Sequence, residues 1–272
     1  MTKIAFIGGG NMASAILGGL IENGYNSQDI LVSDPSQEKL DELAAQFSVQ
    51  TNVDNQAIIA QSDVVVLAVK PQIMQQVISP LKEILSAKRP LIISVAAGIS
   101  LESLASWTEQ SLSIVRCMPN TPALVQKGAS GLLANHNVSD EEKQQADTIL
   151  GAVGLSVWVN SEAELDAVTA LSGSGPAYFF LFIESMIAAG TQLGLAEDTA
   201  KQLALQTALG AATMASKSDV APAQLRQNVT SPNGTTEQAI LSFQKQGLEA
   251  TVKTAMQAAF NRSIELSKEL GQ

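Results

Sequence analysis

The sequence predicts an α/β domain built on a parallel sheet, followed by an all-helical domain. Three observations carry that expectation. Short β-branched runs alternate with amphipathic stretches through the first half of the chain, the runs are apolar on both faces, and strand signals stop near residue 160. Strands that are apolar throughout suit a parallel sheet covered by helices.

The elements follow in order. Runs at 4–7, 30–32, 64–69, 91–95 and 113–117 read as strands, with helices between them at 12–22, 37–46, 73–85 and 101–106. Two further short strands are expected at 131–134 and 156–158, flanking a helix over 139–150. Asp140, Glu141 and Glu142 fall in the first turn of that helix, where the dipole favours acids. The segments 165–171, 176–193, 197–215, 221–228, 237–245 and 248–270 then all read as helix. The expected domains are 1–160 and 161–272.

Composition narrows the function classes. With 46% hydrophobic and 15% charged residues, the 272-residue chain has ample material for a core and is not disordered. Only 4% is aromatic, so Ala, Leu, Val and Ile must build that core, and so much apolar helix points to an oligomer. A net charge of −10 gives no cationic footprint for nucleic acid. Any anionic ligand must be held by local devices such as helix N-termini. The single cysteine, Cys117, excludes an internal disulfide. The chain opens directly on a strand, which leaves no room for a signal peptide. Its most apolar helix, near 177–189, contains Glu184 and is too short to span a bilayer. A cytoplasmic protein without a membrane or metal partner is expected.

Residues 3–13, KIAFIGGGNMA, place Gly8-x-Gly10-x-x-Ala13 straight after a strand and at the opening of a helix. Gly8 suits the tight turn, Gly10 lets backbone approach a pyrophosphate, and Ala13 lets the helix sit close to the strand. The helix start, with Asn11 and Met12, offers free N–H groups to phosphates. In this strand–turn–helix context the motif reads as a Rossmann-type dinucleotide site. The second strand ends at Ser33-Asp34-Pro35-Ser36. An acid here usually bonds the ribose hydroxyls, so Asp34 alone leans towards NAD. Ser33, Ser36 and Lys39 can instead form a phosphate pocket for NADP if the Asp34 side chain turns outward. The tripeptide also suits a plain turn and helix cap.

Further turns stand at the ends of later strands: AVKPQ at 68–72, AAG at 96–98 and RCMPNTP at 116–122. Their placement on one sheet edge matches where α/β sheets open their ligand crevice. In the second half, TALSGSGPAY at 169–178 has Pro176 as its first helical residue, capped by Ser174 or Gly175. VTSPNGTT at 229–236 is followed by Glu237, and Thr235 with Gln238 fits a capping box. A helix start delivered by such a loop is a seat for a small carboxylate.

Together these stretches resemble the pyrroline-5-carboxylate reductase family along essentially the whole chain. The most specific are SGSGPAY at 172–178 and SPNGTT at 231–236. The latter carries Asn233 where the family usually has glycine, and Asn tolerates left-handed backbone better than most residues. The resemblance implies a Rossmann-type N-terminal domain with an all-helical C-terminal dimerisation domain. It implies reduction of 1-pyrroline-5-carboxylate, a cyclic imine carboxylate, to L-proline by NADPH, with NAD kept open by Asp34. Ser231, Gly234 and Thr235 would hold the carboxylate, and Thr236 would place its hydroxyl near the ring nitrogen as the catalytic candidate. Asn55, Ala68, Val69 and Lys70 would line the cofactor, with Ala96, Ala97 and Asn120 nearer the nicotinamide. The helical domain would intertwine with a second copy, and such dimers can build larger rings.

The chemistry agrees with what the chain lacks. Reducing a carbonyl calls for a general acid, often His or Lys. The only histidine, His136, sits in a polar loop. A protonated imine needs no such group, because hydride transfer merely neutralises it. Two other readings stay open on the residues. A β-hydroxyacid-type dehydrogenase would place a lysine soon after the glycine-rich turn, and none occurs here before Lys201. A non-catalytic redox sensor would keep the glycine turn but spoil the second loop, which is intact.

Overall fold

The computed structural model describes residues 2–271. Its first part is a sheet of eight strands, β1 (Ile4–Ile7), β2 (Ile30–Ser33), β3 (Gln50–Asn52), β4 (Val64–Leu67), β5 (Leu91–Ser94), β6 (Ile114–Met118), β7 (Gly128–Ala134) and β8 (Gly154–Trp158). Their spatial order is β3-β2-β1-β4-β5-β6-β7-β8. From β3 to β6 all neighbours are parallel, and the order reverses direction between β1 and β4. The helices are α1 (Asn11–Glu22), α2 (Gln37–Phe47), α3 (Asn55–Ile59), α4 (Met74–Ile78), α5 (Lys82–Lys88), α6 (Leu101–Trp107), α7 (Asp140–Gly151) and α8 (Glu162–Val168).

Alternate strand residues feed opposite faces, as the period of two requires. Phe6, Val32, Val66 and Val115 pack with α1, α2 and α7, while Ile7, Val65, Ile92 and Ile114 pack with α3 to α6. Every residue of β1, β2, β4 and β5 is buried, which is why these strands read as continuous apolar runs.

Several expectations are corrected. The sheet is not wholly parallel, because β7 runs antiparallel to β6. The link between them is a short 3₁₀ turn at Thr121–Val125, too small for the crossover that a parallel neighbour needs. A crossover helix, α7, then returns the chain so that β8 lies parallel to β7. The single helix expected over 73–85 is two helices joined by a 3₁₀ turn at Ser79–Leu81, since Pro80 cannot donate within a helix. β3 and α3 were not expected, and the polar β3 sequence QTN carries no apolar signal. The break expected around Gly173 is instead a π-helical turn, Thr169–Gly173, that carries α8 on towards the next helix.

Five helices follow: α9 (Gly175–Gln192), α10 (Glu197–Lys217), α11 (Pro222–Asn228), α12 (Thr235–Lys245) and α13 (Leu248–Leu270). Close packing divides the chain into one unit of residues 1–174 with 259–272, and a second unit of residues 175–258. The second unit buries very little of its own surface: among its described residues only Gly175, Ala200 and Ala204 are buried. Phe179, Leu193 and Leu209 are 69%, 87% and 62% exposed. Among the described residues no helix is long and apolar enough to cross a membrane.

Within the first unit two polar links fasten distant elements. Arg116 of β6 is 2% exposed and pairs with Glu162 at the start of α8. Glu162 also accepts the Leu101 N–H at 2.8 Å and so caps α6 from outside. Ser263 of α13 donates to the buried Asp166 at 2.6 Å. Removing one partner of a buried ion pair strands the other charge. Glu162→Ala is therefore expected to cost about 3 kcal/mol in urea unfolding, with Arg116→Met in the same chain recovering most of the loss.

Candidate active site

The site begins at the sheet edge where the six parallel strands end. The register aligns Ile7 with Ser33 and Leu67, and Leu67 with Ser94. The turns that follow these strands therefore emerge together. Gly8 has φ +99, and a Cβ on it would stand 2.9 Å from the Ala68 carbonyl oxygen. Any side chain there would be strained twice over, by backbone and by contact. Gly10 caps α1 without a side-chain bond, and a Cβ on it would meet nothing within 4 Å. That open space above a helix start with uncapped amides is what a pyrophosphate requires. Asn11 is exposed and Met12 half-buried in the first turn.

Asp34 does not turn outward. Its carboxylate accepts from the Gly9 N–H at 3.0 Å, the Ser36 N–H at 3.1 Å and the Lys39 ammonium at 3.1 Å. Burial pushes the Asp34 carboxyl up, but the bonds from Gly9, Ser36 and Lys39 outweigh it and leave the carboxyl below its ordinary value. Asp34 thus braces the glycine turn, and its charge is met by an ammonium that stays 44% exposed. Ser36 uses its hydroxyl to cap α2, and Ser33 bonds Asn55 at 2.6 Å. Of the pocket foreseen from Ser33, Ser36 and Lys39, Ser33 is buried and Ser36 and Lys39 are half-buried.

Ala68 and Val69 are half-buried beside this turn and Lys70 is exposed. Ala96 is buried and Ala97 half-buried after β5, while Asn120 is buried after β6. The expected cofactor residues thus come from turns on the same sheet edge, with Asn55 at the start of α3 after β3. His136 does not join them: it is exposed in the turn after β7, and β7 runs opposite to β6, so it lies at the other end of the strands. Burial pushes the Cys117 thiol up to about 12, partly offset by a hydrogen bond with Ser130, which keeps it inert.

The second loop belongs to the helical unit. Ser231, Thr235 and Thr236 are exposed, and Gly234 is half-buried. Asn233 takes φ 60, the left-handed backbone that its place in the loop demands. The expected capping box is not formed: Gly234 is the cap residue, Thr235 is the first helical residue, and no side chain caps α12. Instead Glu237 reaches back to the Asn233 N–H at 2.7 Å. The extended backbone falls at Gly234, so the helix starts with Thr235 already inside its first turn and the threonine cannot serve as cap. Likewise Gly175, not Pro176, is the first residue of α9.

A glycine turn of this geometry at the reversal point of a parallel sheet defines a dinucleotide-binding protein of the Rossmann class. Residues 3–98 match the family model described as NADP oxidoreductase, coenzyme F420-dependent, and residues 162–266 match that of pyrroline-5-carboxylate reductase dimerisation. The pyrroline-5-carboxylate reductase of Pseudomonas aeruginosa is 53% identical over 270 residues, spanning 99% of this chain and 98% of that one. The Haemophilus influenzae enzyme is 47% identical over 264 residues, with 97% of each covered. A solved pyrroline-5-carboxylate reductase from Coxiella burnetii superposes with a TM-score of 0.95 at 47% identity, covering 98% of both chains. The Plasmodium falciparum structure, which has NADP bound, gives 0.85 at 33%, again covering 98% of both. The chain belongs to the pyrroline-5-carboxylate reductase family.

The Asp34 brace is pH-dependent in a defined direction. A carboxyl held below its unfolded value contributes stability that is fully present above about pH 4 and lost as pH falls through the depressed folded value. Denaturant unfolding of wild type and Asp34→Asn should differ at neutral pH and converge in acid.

Proposed function

We propose that this chain reduces 1-pyrroline-5-carboxylate to L-proline with NADPH, the last step of proline synthesis. The observation that carries the reading is likeness along the full chain to reductases of that name, at 53% and 47% identity. The glycine turn fits the cofactor: Gly8, Gly10, Asn11 and Met12 would hold its phosphates. Asn55, Ala68, Val69 and Lys70 would line its length, with Ala96, Ala97 and Asn120 towards the nicotinamide. Bound there, the cofactor supplies the hydride.

The choice of NADPH is supported by the NADP oxidoreductase family model, by the NADP-bound relative and by Lys39. The half-exposed Lys39 ammonium, held beside the glycine turn by Asp34, can meet a 2′-phosphate. Ser36 stands at the same corner.

At the second loop, Ser231, Gly234 and Thr235 would hold the substrate carboxylate against the uncapped start of α12. Thr236 would orient the ring nitrogen. A protonated imine carbon is already electrophilic, so the protein's contribution is alignment of the two reacting carbons. No acid comparable to a carbonyl reductase's is required. The exposed apolar side chains of α9, α10 and α12 support a homodimer, because a stable monomer rarely leaves so large an apolar surface to water. Such dimers can associate into a ring, and the cytoplasm is the compartment we assign.

Oxidation of NADPH, followed by absorbance, should be rapid and dependent on added imine; a folded chain that binds NADPH and consumes none would sink the proposal. Thr236→Ala should lower kcat about tenfold or more with little change in NADPH binding, and an unchanged kcat would remove Thr236 from the reaction. Lys39→Ala should raise the KM for NADPH about tenfold while leaving that for NADH in place. Equal loss with both cofactors would count against the 2′-phosphate role.

A further inference from the structure

We infer that Ser33 is a positioning residue for the cofactor, which acts by holding the Asn55 amide so that N–H groups, not an oxygen, are left for the adenosine ribose end. The inference rests on the NADPH reading above and not on the identity of the imine. Ser33 ends β2 and is fully buried. Its backbone carbonyl accepts from the Gly8 N–H at 2.8 Å, and its successor Asp34 accepts from the Gly9 N–H at 3.0 Å. Ser33 is thus joined directly to the glycine turn. The acid position that follows it is where this fold meets the adenosine ribose.

The Ser33 hydroxyl reaches across to α3. Asn55, the first residue of that helix, accepts from Ser33 Oγ at 2.6 Å. An amide oxygen only accepts and an amide nitrogen only donates, whereas a hydroxyl has a single proton to give. Occupying Asn55 Oδ1 from the buried side therefore decides which end of the amide is left over. Among the described residues Nδ2 makes no hydrogen bond, and Asn55 is only half-buried, so its N–H groups remain for a ligand.

The reversed amide is disfavoured by Ser33 itself. Nδ2 would then donate to Oγ, and the hydroxyl proton would be left with the Phe6 carbonyl at 3.5 Å, too long for a good bond. Reversal would also offer an oxygen on the open side, which repels the 2′-phosphate of NADPH. Nothing in the shape of Asn55 chooses between the two orientations, because the amide oxygen and nitrogen are nearly equal in size. The proton of a buried serine makes the choice.

The test is a double-mutant cycle read by NADPH affinity, from cofactor fluorescence without imine. Ser33→Ala removes the hydroxyl and little else, and should weaken NADPH about fivefold, the worth of one hydrogen bond. Asn55→Ala should weaken it at least as much. In the double variant the serine change should add less than about twofold to the loss from Asn55→Ala. A merely structural role for Ser33 would lower Tm and carry its full loss into the Asn55→Ala background. Asn55→Asp keeps an oxygen for Ser33 and replaces the amide nitrogen by a second oxygen, so it should bind NADPH no better than Asn55→Ala. Wild-type affinity in Ser33→Ala, additive losses in the double variant, or wild-type affinity in Asn55→Asp each overturns the inference. Wild type assayed with imine keeps the two levels apart. Absence of turnover there defeats the reductase reading, while the binding cycle still decides the role of Ser33; a wild type that binds no NADPH overturns both.

Discussion

The crevice depends on one close approach. β1 and β4 are neighbours although three helices and two strands separate them in sequence, and the turn leaving β1 passes directly over the end of β4. Only a residue without a Cβ can make that pass, since the Ala68 carbonyl oxygen stands 2.9 Å from where the Cβ would be. From this follow the start of α1 directly after the turn, the open space at Gly10 and the reach of the Asp34 carboxylate to the Gly9 N–H. A larger residue at position 8 would push the turn off β4 and dismantle all three.

Much of this was legible because it rests on local chemistry. Glycines with a strand before them and a helix after them can be read without coordinates, and so can the acids Asp140, Glu141 and Glu142 in the first turn of α7. Asn233 was readable in the same way: left-handed backbone was expected there, and φ is 60. The direction in which Asp34 points was not legible, since the same tripeptide suits a ribose ligand, a phosphate pocket or a cap. Nor was the π turn, because a cluster of Gly, Ser and Pro reads as a break. Its Ser172 carbonyl accepts from Asn120, far off in sequence, and no local pattern announces a contact across 52 positions. The pairing of Arg116 with Glu162 was not legible either, because two more strands separate the partners in sequence.

The helical unit poses a different constraint. Its helices carry apolar side chains in quantity, but three small buried residues cannot account for a core. Small residues such as Ala200 and Ala204 let α9 and α10 approach closely, and Gly190 is near enough that a Cβ would meet Ala200 at 3.3 Å. Such packing leaves the large residues, Phe179 to Phe182 among them, facing outward. The hydrophobic effect then favours association over any rearrangement within one chain. The low aromatic content is consistent with this, because a core of small side chains needs a second surface to reach useful area.

Charge explains how such a chain can handle anions. At −10 net, its overall field repels phosphate and carboxylate alike. Local helix starts must therefore do the holding, and the caps show which ones are available. α2, α6, α7 and α8 begin with a serine whose hydroxyl accepts from the first turn, and α3 with an aspartate that does the same. α4, α5, α10 and α11 have no side-chain cap either, but only α1 and α12 among the uncapped starts have glycine as the cap residue, at Gly10 and Gly234. A serine at either place would satisfy the amides and fill the space that a ligand needs. Glycine leaves the amides unmet by any side chain and lets an anion approach the backbone. The glycine turn and the SPNGTT loop deliver these two starts; at Gly10 the space is open, while at Gly234 a Cβ would stand 3.0 Å from the Ser231 carbonyl oxygen, so the loop's own backbone asks for glycine there.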